Sequence, residues 1–369
     1  MRMIRWISVL SLAALSSCSE MTLRPVTYNG WKNCYSLSNG RAQAVIVPSI
    51  GRMMSYRLCD GRNVLDVNPD RVGFTPPSDP DSYIFYGGMY TWISPQIHWV
   101  ERGKKGVWVG ADPRLDHGPF RVTRATPIEL TMVSPVSPVY GLQESRTYQL
   151  VPGTSRLKYT VSLRNVGPYP VRWGIWNLSA VRPEGVAFFR LPNGRRDLIF
   201  PSEPKKAKKY FNSLLTMPAS DLAAVDMRKF FFESSKLFAR PGSEFLAYRL
   251  PEGWFIRNFK ADPNAFHSDW QSQVEIYGQA RLKPKEKGKV TKIFELEVLS
   301  PDYVIRPNET VTWTETMTIV EDQSPIAEDL RREAAKLPGI LKKEFPKPPK
   351  KSAKKSGSAL QITTKPTKI

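Results

Sequence analysis

Two glutamates with one residue between them are the clearest candidates for acid–base chemistry in this chain. Glu295 and Glu297 lie in the predicted strand Phe294–Leu299, in which alternate side chains point to the same face. Two carboxylates that share a face can raise the pKa of one of them, and a raised pKa suits a general base near neutral pH. The alternative is that both lie on a solvated face, where charged side chains are normal.

Three histidines supply the imidazoles that could exchange protons near neutral pH: His98, His117 and His267. His98 lies at the end of an aromatic-rich segment, and His267 lies in a predicted loop beside Trp270. A lone histidine is more often an ordinary surface or hydrogen-bonded residue, so each needs support from its position.

Aromatic side chains are concentrated between Tyr83 and Trp99. Their faces can stack on the C–H faces of pyranose rings, and we expect Trp92 and His98 to be the more exposed members of a cleft. The alternative is a packed aromatic core, which we expect for about half of these rings. Donors for sugar hydroxyls or a carboxylate are Gln96, Arg52 and Arg121.

The elements that must position these groups are predicted to be strands. Leu157, Tyr159, Val161 and Leu163 alternate with polar residues, and similar period-two runs recur along the chain. Turn signals such as Asp60-Gly61 separate the runs. The pattern predicts an all-β domain of many short antiparallel strands, either a sandwich or a barrel.

One helix is predicted near the end of this domain. Ser324 is a suitable cap, Pro325 suits the first helical position, and Pro338-Gly339 would close the helix. The segment 220–238 reads either as a second helix or as strand, and both assignments stay open.

Glu315 interrupts an apolar face formed by Val311, Trp313, Met317 and Ile319. A carboxylate there must be paired, protonated or at a cleft, because an isolated buried charge is costly. We expect a structural hydrogen-bonding role rather than a catalytic one.

Both ends of the chain have a biased composition. Residues 1–17 contain Arg2, Arg5 and a short apolar run, and the sequence up to Cys18 resembles a bacterial lipoprotein signal peptide. This resemblance implies lipidation of Cys18, a membrane anchor and, with Ser19 next, an outer-membrane location facing the periplasm. An ordinary secretory signal with an incidental cysteine is the alternative.

Residues 336–369 contain ten lysines and one acidic residue, and we predict a disordered, Lys- and Pro-rich tail. The signal and this tail hold eleven of the twenty net positive charges of the chain. A further lysine cluster, Lys205 to Lys209, lies in a Pro-flanked segment that we predict to be a loop. Because no nucleic-acid-binding module accompanies the charge, we expect no nucleic-acid partner.

Other common nucleotide-binding, metal-binding, redox and nucleophile motifs are absent from the sequence. There is no Walker loop, His-Glu-x-x-His, Cys-x-x-Cys or Gly-x-Ser-x-Gly, so we expect no cofactor and no metal. Cys34 and Cys59 could form a disulfide in an oxidising compartment, but two buried thiols are the favoured expectation.

The order of several short blocks resembles one known family. The blocks are Asn39–Tyr56, Gly61–Leu65, Tyr86–Gly88, Trp92–Gln96, Asp116–Phe120, Pro170–Trp176, Phe294–Pro301 and Ile305–Glu315. Together they are similar to an uncharacterised bacterial family, domain of unknown function 4380, within the galactose mutarotase-like superfamily. The resemblance implies a large antiparallel β supersandwich over residues 18–335, with one C-terminal helix.

The resemblance also implies a chemistry. Aldose mutarotases open the sugar ring with a glutamate base and a histidine acid. Glu297 matches the base best, four residues before Pro301, and His117 resembles a His-Gly-Phe-x-Arg block of hexose-phosphate mutarotases. Active mutarotases carry a histidine in the strand that here reads Val171–Leu178, which has none, so only His117 or His98 remains as the acid.

We therefore expect a lipid-anchored envelope protein that binds a carbohydrate or envelope polysaccharide and lacks the standard epimerase chemistry. The predicted catalytic candidates are Glu297, His117 and His98, with Trp92, Gln96, Arg52, Arg121 and Glu295 in binding roles. The alternatives are an active aldose 1-epimerase-like enzyme and a purely structural envelope protein.

Overall fold

The computed structural model describes residues 20–77, 83–100, 110–200, 205–268, 270–282 and 290–346. The predicted signal peptide, Cys18 and the predicted tail beyond residue 346 lie outside these ranges. The described residues form twenty-one strands: β1 (Met21–Tyr28), β2 (Trp31–Asn39), β3 (Ala42–Val47), β4 (Arg52–Leu58), β5 (Met89–Ser94), β6 (Arg121–Thr126), β7 (Glu129–Val133), β8 (Leu142–Leu150), β9 (Leu157–Asn165), β10 (Val171–Ala180), β11 (Val186–Arg190), β12 (Leu198–Ile199), β13 (Leu215–Ala219), β14 (Leu222–Asp226), β15 (Ser235–Ala239), β16 (Phe245–Leu250), β17 (Gly253–Asn258), β18 (Val274–Leu282), β19 (Val290–Leu299), β20 (Tyr303–Ile305) and β21 (Thr310–Glu321).

These strands form two antiparallel sheets. The first has the order β1-β2-β3-β4-β5-β10-β19-β18-β15-β12, with β20 paired to β10. The second has the order β13-β14-β11-β16-β17-β21-β9-β8-β7-β6. One apolar core between the two sheets takes side chains from both, including Ile175 and Leu296 of the first and Tyr159 and Phe255 of the second. The predicted all-β sandwich is confirmed.

The predicted alternation is also confirmed along β9. Leu157, Tyr159, Val161 and Leu163 are buried in the core, while Lys158 and Arg164 are exposed. A strand that has one face on a core and the other in solvent requires this period of two.

Three α-helices lie among the described residues: α1 (Pro113–Asp116), α2 (Lys205–Leu214) and α3 (Leu330–Glu344). The predicted loop at Lys205–Lys209 is wrong, because these lysines lie in α2. Phe211 and Leu214 of this helix are buried in the main core, and this packing stabilises a helix that a lysine run alone does not indicate. The open segment 220–238 contains β14 and β15 and no α-helix.

The predicted bounds of the last helix are also wrong. The side chain of Asp329 accepts the N–H of Arg331 at the start of α3, and the helix continues through Pro338 to Glu344. Leu337, Leu341 and Phe345 pack with Leu330 and Ala334 on the outer face of the second sheet. This burial outweighs the backbone hydrogen bond that a proline removes, so the helix enters the predicted tail. No helix among the described residues is long and apolar enough to cross a membrane.

Cys34 of β2 is buried and its thiol is free, so it forms no disulfide with Cys59. Burial raises the pKa of the Cys34 thiol. Cys59 lies directly after β4 and is only half-buried, so the expectation of two buried thiols is correct for Cys34 alone.

A buried ionic network joins the two sheets. Glu315 of β21 accepts hydrogen bonds from Arg257 Nε of β17 at 2.9 Å and from Asn177 Nδ2 of β10 at 2.7 Å. The Arg257 guanidinium also donates to the carbonyl oxygens of Leu296 at 2.6 Å and Asn177 at 3.0 Å. Glu315 and Arg257 are both fully buried. The predicted structural role of Glu315 is confirmed.

We expect Glu315→Ala to lower the free energy of unfolding by about 3–5 kcal/mol, because it leaves the buried Arg257 without its carboxylate. Chemical denaturation measures this change. The double variant Glu315→Ala/Arg257→Met should recover much of the loss, and Glu328→Ala, at an exposed position, should change stability little. A double variant no more stable than Glu315→Ala would contradict this explanation.

Candidate functional site

A cavity of about 650 Å³ opens on the face of the first sheet that points away from the second sheet. Leu296 and Val298 of β19 are buried in the core between the sheets, so Glu295 and Glu297 project from the opposite face. The described residues that line the cavity are Tyr83, Phe85, Trp92, Gln96, Trp176, Leu178, Lys236, Tyr277, Gln279, Ile293, Glu295 and Glu297.

Strand register brings these side chains together from distant parts of the chain. Glu297 of β19 pairs with Leu178 of β10 on one side and with Glu275 of β18 on the other. Glu295 pairs with Tyr277 of β18, which pairs in turn with Lys236 of β15. Directly opposed residues in neighbouring strands share a face, so these side chains form two adjacent rows on the cavity side.

One lysine links two of the three glutamates. Lys236 Nζ lies 2.8 Å from Glu297 Oε2 and 2.6 Å from Glu275 Oε2. The Trp176 indole donates to Glu297 Oε2 at 2.7 Å, and Lys236 Nζ lies 4.3 Å from the centre of the Trp176 ring. Both of these hydrogen bonds are accepted by Oε2 of Glu297.

Burial controls the protonation of this cluster. It raises the pKa of Glu297 well above its usual value, against the opposing effect of Lys236, while Glu275 and Glu295 raise the pKa further. Burial by itself would lower the pKa of Lys236, but the carboxylates of Glu275 and Glu297 outweigh it and raise that pKa. Lys236 therefore stays a cation, and Glu297 is a weaker acid than a glutamate in water.

Glu295 has a separate chain of partners. The hydroxyl of Tyr90 donates to Glu295 Oε1, and the Arg52 guanidinium lies 3.8 Å from the centre of the Tyr90 ring. Arg52 in turn donates to Asp116 Oδ1 at 2.9 Å. Burial raises the pKa of Tyr90 well above its usual value, so it stays a donor, and burial also raises the pKa of Glu295.

An aromatic wall closes one side of the cavity. The Trp92 ring makes edge-on contacts with the rings of Tyr83, Tyr90, Trp99 and Trp176 at centroid distances of 5.2–5.7 Å. This packing leaves Trp92 only 5% exposed, so it belongs largely to the wall. The aromatic side chains that offer more surface to the cavity are the half-buried Tyr83, Phe85 and Tyr277.

The structure brings four of the predicted site residues together in this cavity: Glu295, Glu297, Trp92 and Gln96. Arg52 lies behind Tyr90, where Asp116 and the carbonyl of Gly87 take its donors. Arg121 is exposed on β6 of the second sheet and does not line the cavity.

No histidine lines the cavity among the described residues. His117 is buried, with Nδ1 lying 3.4 Å from Asp116 Oδ2. His98 is exposed, and its ring centre lies 6.1 Å from that of Trp173. His267 is 1% exposed, and its burial lowers the pKa to about 4, so it is neutral at pH 7.

Several cavity residues were not predicted from the sequence, above all Trp176 and Lys236. Trp176 lies in the strand where the resemblance implies a histidine. The absence of that histidine was the signal in the sequence that could have indicated Trp176. Lys236 lies in the segment whose secondary structure stayed open, and it reaches Glu297 only through the register of β15, β18 and β19.

This arrangement can hydrogen-bond a polyhydroxylated ligand and pack on its apolar face. It can also hold and transfer a proton at Glu297 or Glu295, because two buried carboxyl groups lie beside a cation. No group of three or more His, Cys, Asp or Glu side chains in the described part of the chain is arranged to hold a metal ion.

Comparisons with known proteins identify the family and the fold. A family model described as Domain of unknown function (DUF4380) matches residues 34–320. No curated protein matches the chain. The Slr1438 protein from Synechocystis sp. PCC 6803 is 13% identical, with a TM-score of 0.51 over 81% of this chain and 97% of its own. A galactose mutarotase related enzyme from Lactobacillus acidophilus is 12% identical, with a TM-score of 0.50 over 80% and 99%. The predicted galactose mutarotase-like sandwich is confirmed.

Proposed function

The chain belongs to the family described as Domain of unknown function (DUF4380), and from this premise and the geometry of the cavity we propose that it binds a carbohydrate. The observation that carries the proposal is the position of Tyr83, Phe85 and Tyr277 beside the carboxyl groups of Glu295 and Glu297 in one cavity. Carbohydrates present C–H faces and hydroxyl groups together, and this lining complements both.

The proposed binding does not depend on the histidine-assisted ring opening that the superfamily resemblance implies. Trp176 of β10 lies in the strand that would carry that histidine, and its indole donates to Glu297. An indole N–H donates a hydrogen bond but does not exchange a proton near neutral pH. The polar groups of the cavity can therefore hydrogen-bond a ligand without such a proton transfer.

We expect Tyr277→Ala and Phe85→Ala each to weaken binding by about tenfold, because each removes a ring that can stack on the sugar. A glycan array identifies the ligand, and isothermal titration calorimetry measures the affinities. Tyr169→Ala is the matched control, because Tyr169 is 76% exposed and does not line the cavity. Absence of any glycan binding at millimolar concentration would refute the proposal.

A second candidate function, interconversion of sugar anomers, is favoured by the placement of Glu295 and Glu297. In this reaction Glu297 takes the proton of the anomeric hydroxyl while the bond between C1 and the ring oxygen breaks. A protonated Glu295 gives its proton to the ring oxygen, and reversal after rotation about the C1–C2 bond produces the other anomer. The two carboxyl groups would together replace the glutamate–histidine pair.

For this second candidate we expect wild-type protein to accelerate anomer exchange and Glu297→Gln to abolish the acceleration, because an amide cannot accept the proton. Exchange spectroscopy by NMR on a panel of aldoses measures the rate. His98→Gln should keep the wild-type rate, since His98 lies outside the cavity lining. An exchange rate equal to that of buffer would reject the enzymatic function and leave carbohydrate binding intact.

We further propose that the domain is held at the bacterial cell envelope by acyl chains on Cys18, facing the periplasm from the outer membrane. Support comes from the sequence alone: the basic residues Arg2 and Arg5, the short apolar run and the Leu15-Ser16-Ser17-Cys18 order. An anchored domain of this kind would meet envelope polysaccharides as its ligands.

We expect Cys18→Ala to move the protein from the membrane fraction to the soluble fraction, because the acylated side chain is lost. Cell fractionation, together with metabolic labelling by a fatty acid, measures this change. Cys34→Ala is the control, since Cys34 is buried in the domain and its thiol is inaccessible. Equal membrane association of Cys18→Ala and wild type would contradict the anchor.

A further inference from the structure

Among the described residues, the cavity and the groups directly behind it hold more carboxyl groups than cations. Glu295 and Glu297 line the cavity together with Lys236, and Glu275 lies against Lys236. Behind Tyr90, Asp116 faces Arg52 and the imidazole of His117. Glu275, Glu295 and Glu297 thus share one nearby lysine, while Asp116 is paired one to one with Arg52.

Lys236 is shared between two carboxyl groups, and the hydrogen bond that Glu295 accepts comes from a neutral hydroxyl. Glu275 and Glu297 both lie within 2.8 Å of Lys236 Nζ. Glu295 Oε1 accepts a hydrogen bond from the neutral hydroxyl of Tyr90. The nearby guanidinium of Arg52 lies on the far side of the Tyr90 ring and is paired with Asp116. The charges of Lys236 and Arg52 act on Glu295 through space and lower its pKa less than burial raises it, so its carboxyl group is only partly balanced by positive charge.

This excess of carboxyl groups favours a cationic ligand over an anionic one. Glu295 and Glu297 are 7% and 1% exposed, and aromatic rings surround them, so water screens their charge poorly. Burial raises the pKa of Glu295, and a cation bound beside its carboxyl group favours the ionised form and gains Coulombic attraction from it. An anion at the same place meets two carboxyl groups, while Arg52 and Arg121, the guanidinium groups expected to bind a carboxylate, lie elsewhere.

We propose that the preferred ligand of this cavity is an amino sugar with a free, protonated amine, and that the cavity discriminates against uronic acids. The inference rests on the proposed carbohydrate binding and adds the charge of the ligand to it. The rings of Tyr83, Phe85 and Tyr277 supply the surface for the pyranose, and the carboxylate of Glu295 supplies the partner for the ammonium group.

The test compares the affinities of matched sugars for the wild-type protein by isothermal titration calorimetry. The probes are the methyl glycosides of glucosamine, glucose and glucuronic acid, and the corresponding galactose series, at pH 7 and one ionic strength. We expect the amino sugar to bind about tenfold or more tightly than the neutral sugar, and the uronic acid to bind more weakly than both.

The outcomes separate this inference from the proposal on which it rests. Equal affinities in a series, or tighter binding of the uronic acid, would overturn the charge preference and leave carbohydrate binding standing. Absence of binding by every sugar would overturn both.

A variant series assigns the preference to a residue. Glu295→Gln removes one negative charge and keeps an oxygen that accepts the Tyr90 hydroxyl. We expect the ratio of the amino-sugar affinity to the neutral-sugar affinity to fall by about tenfold. Glu328→Gln, at an exposed position outside the cavity, should keep the full preference. An unchanged preference in Glu295→Gln would overturn the assignment of the ammonium partner, and thermal unfolding of each variant verifies that it is folded.

Discussion

The buried ion pair between Glu315 and Arg257 positions the cavity, although neither residue reaches it. The pair lies in the core between the sheets and bonds to Asn177 of β10 and to the carbonyl of Leu296 of β19. Neighbouring residues of a strand point to opposite faces, so a bond at Asn177 orients Trp176 and Leu178 outward. The same reasoning applies to Leu296, which lies between Glu295 and Glu297. The strands that bring Trp176, Glu295 and Glu297 to the cavity are therefore held in place by contacts on their opposite face.

Charged side chains are also buried at other places, where they form ion pairs and hydrogen bonds. The guanidinium of Arg146 contacts Glu144 and the carbonyl oxygens of Leu115 and Thr91. Arg249 pairs with Glu333 of α3 at 3.0 Å and so ties the last helix to the second sheet. Against this background Glu295 is distinctive, because its carboxyl group has a neutral hydroxyl as its hydrogen-bond partner and faces a cavity. Such an incompletely balanced charge is typical of binding sites rather than of structural ones.

Some features of the fold and the cavity follow from the local sequence pattern, and others do not. The family, the all-β class and the inward face of β9 followed from block order and alternation, which are local properties. Glu295 and Glu297 were found because two residues on one strand share a face whatever their neighbours. The positions of the His98 and Arg52 side chains could not be predicted in this way, because they contact Trp173 and the carbonyl of Gly87, which come from other parts of the fold. The extension of α3 past Pro338 likewise depends on an apolar surface of the second sheet.

The amino-acid sequence by itself determined which residues alternate, where turns interrupt them and which family the chain resembles, because these properties depend on neighbours along the chain. Only the tertiary structure decided that Lys236, Trp176 and Glu275 meet Glu297, and that no described histidine joins them. Strand order and register set these contacts: β10 and β15 lie on either side of the consecutive strands β18 and β19 in the sheet, although both are distant from that pair in the chain. A cavity assembled across four strands is a property of their pairing, and pairing is selected by the burial of the whole core rather than by any one segment.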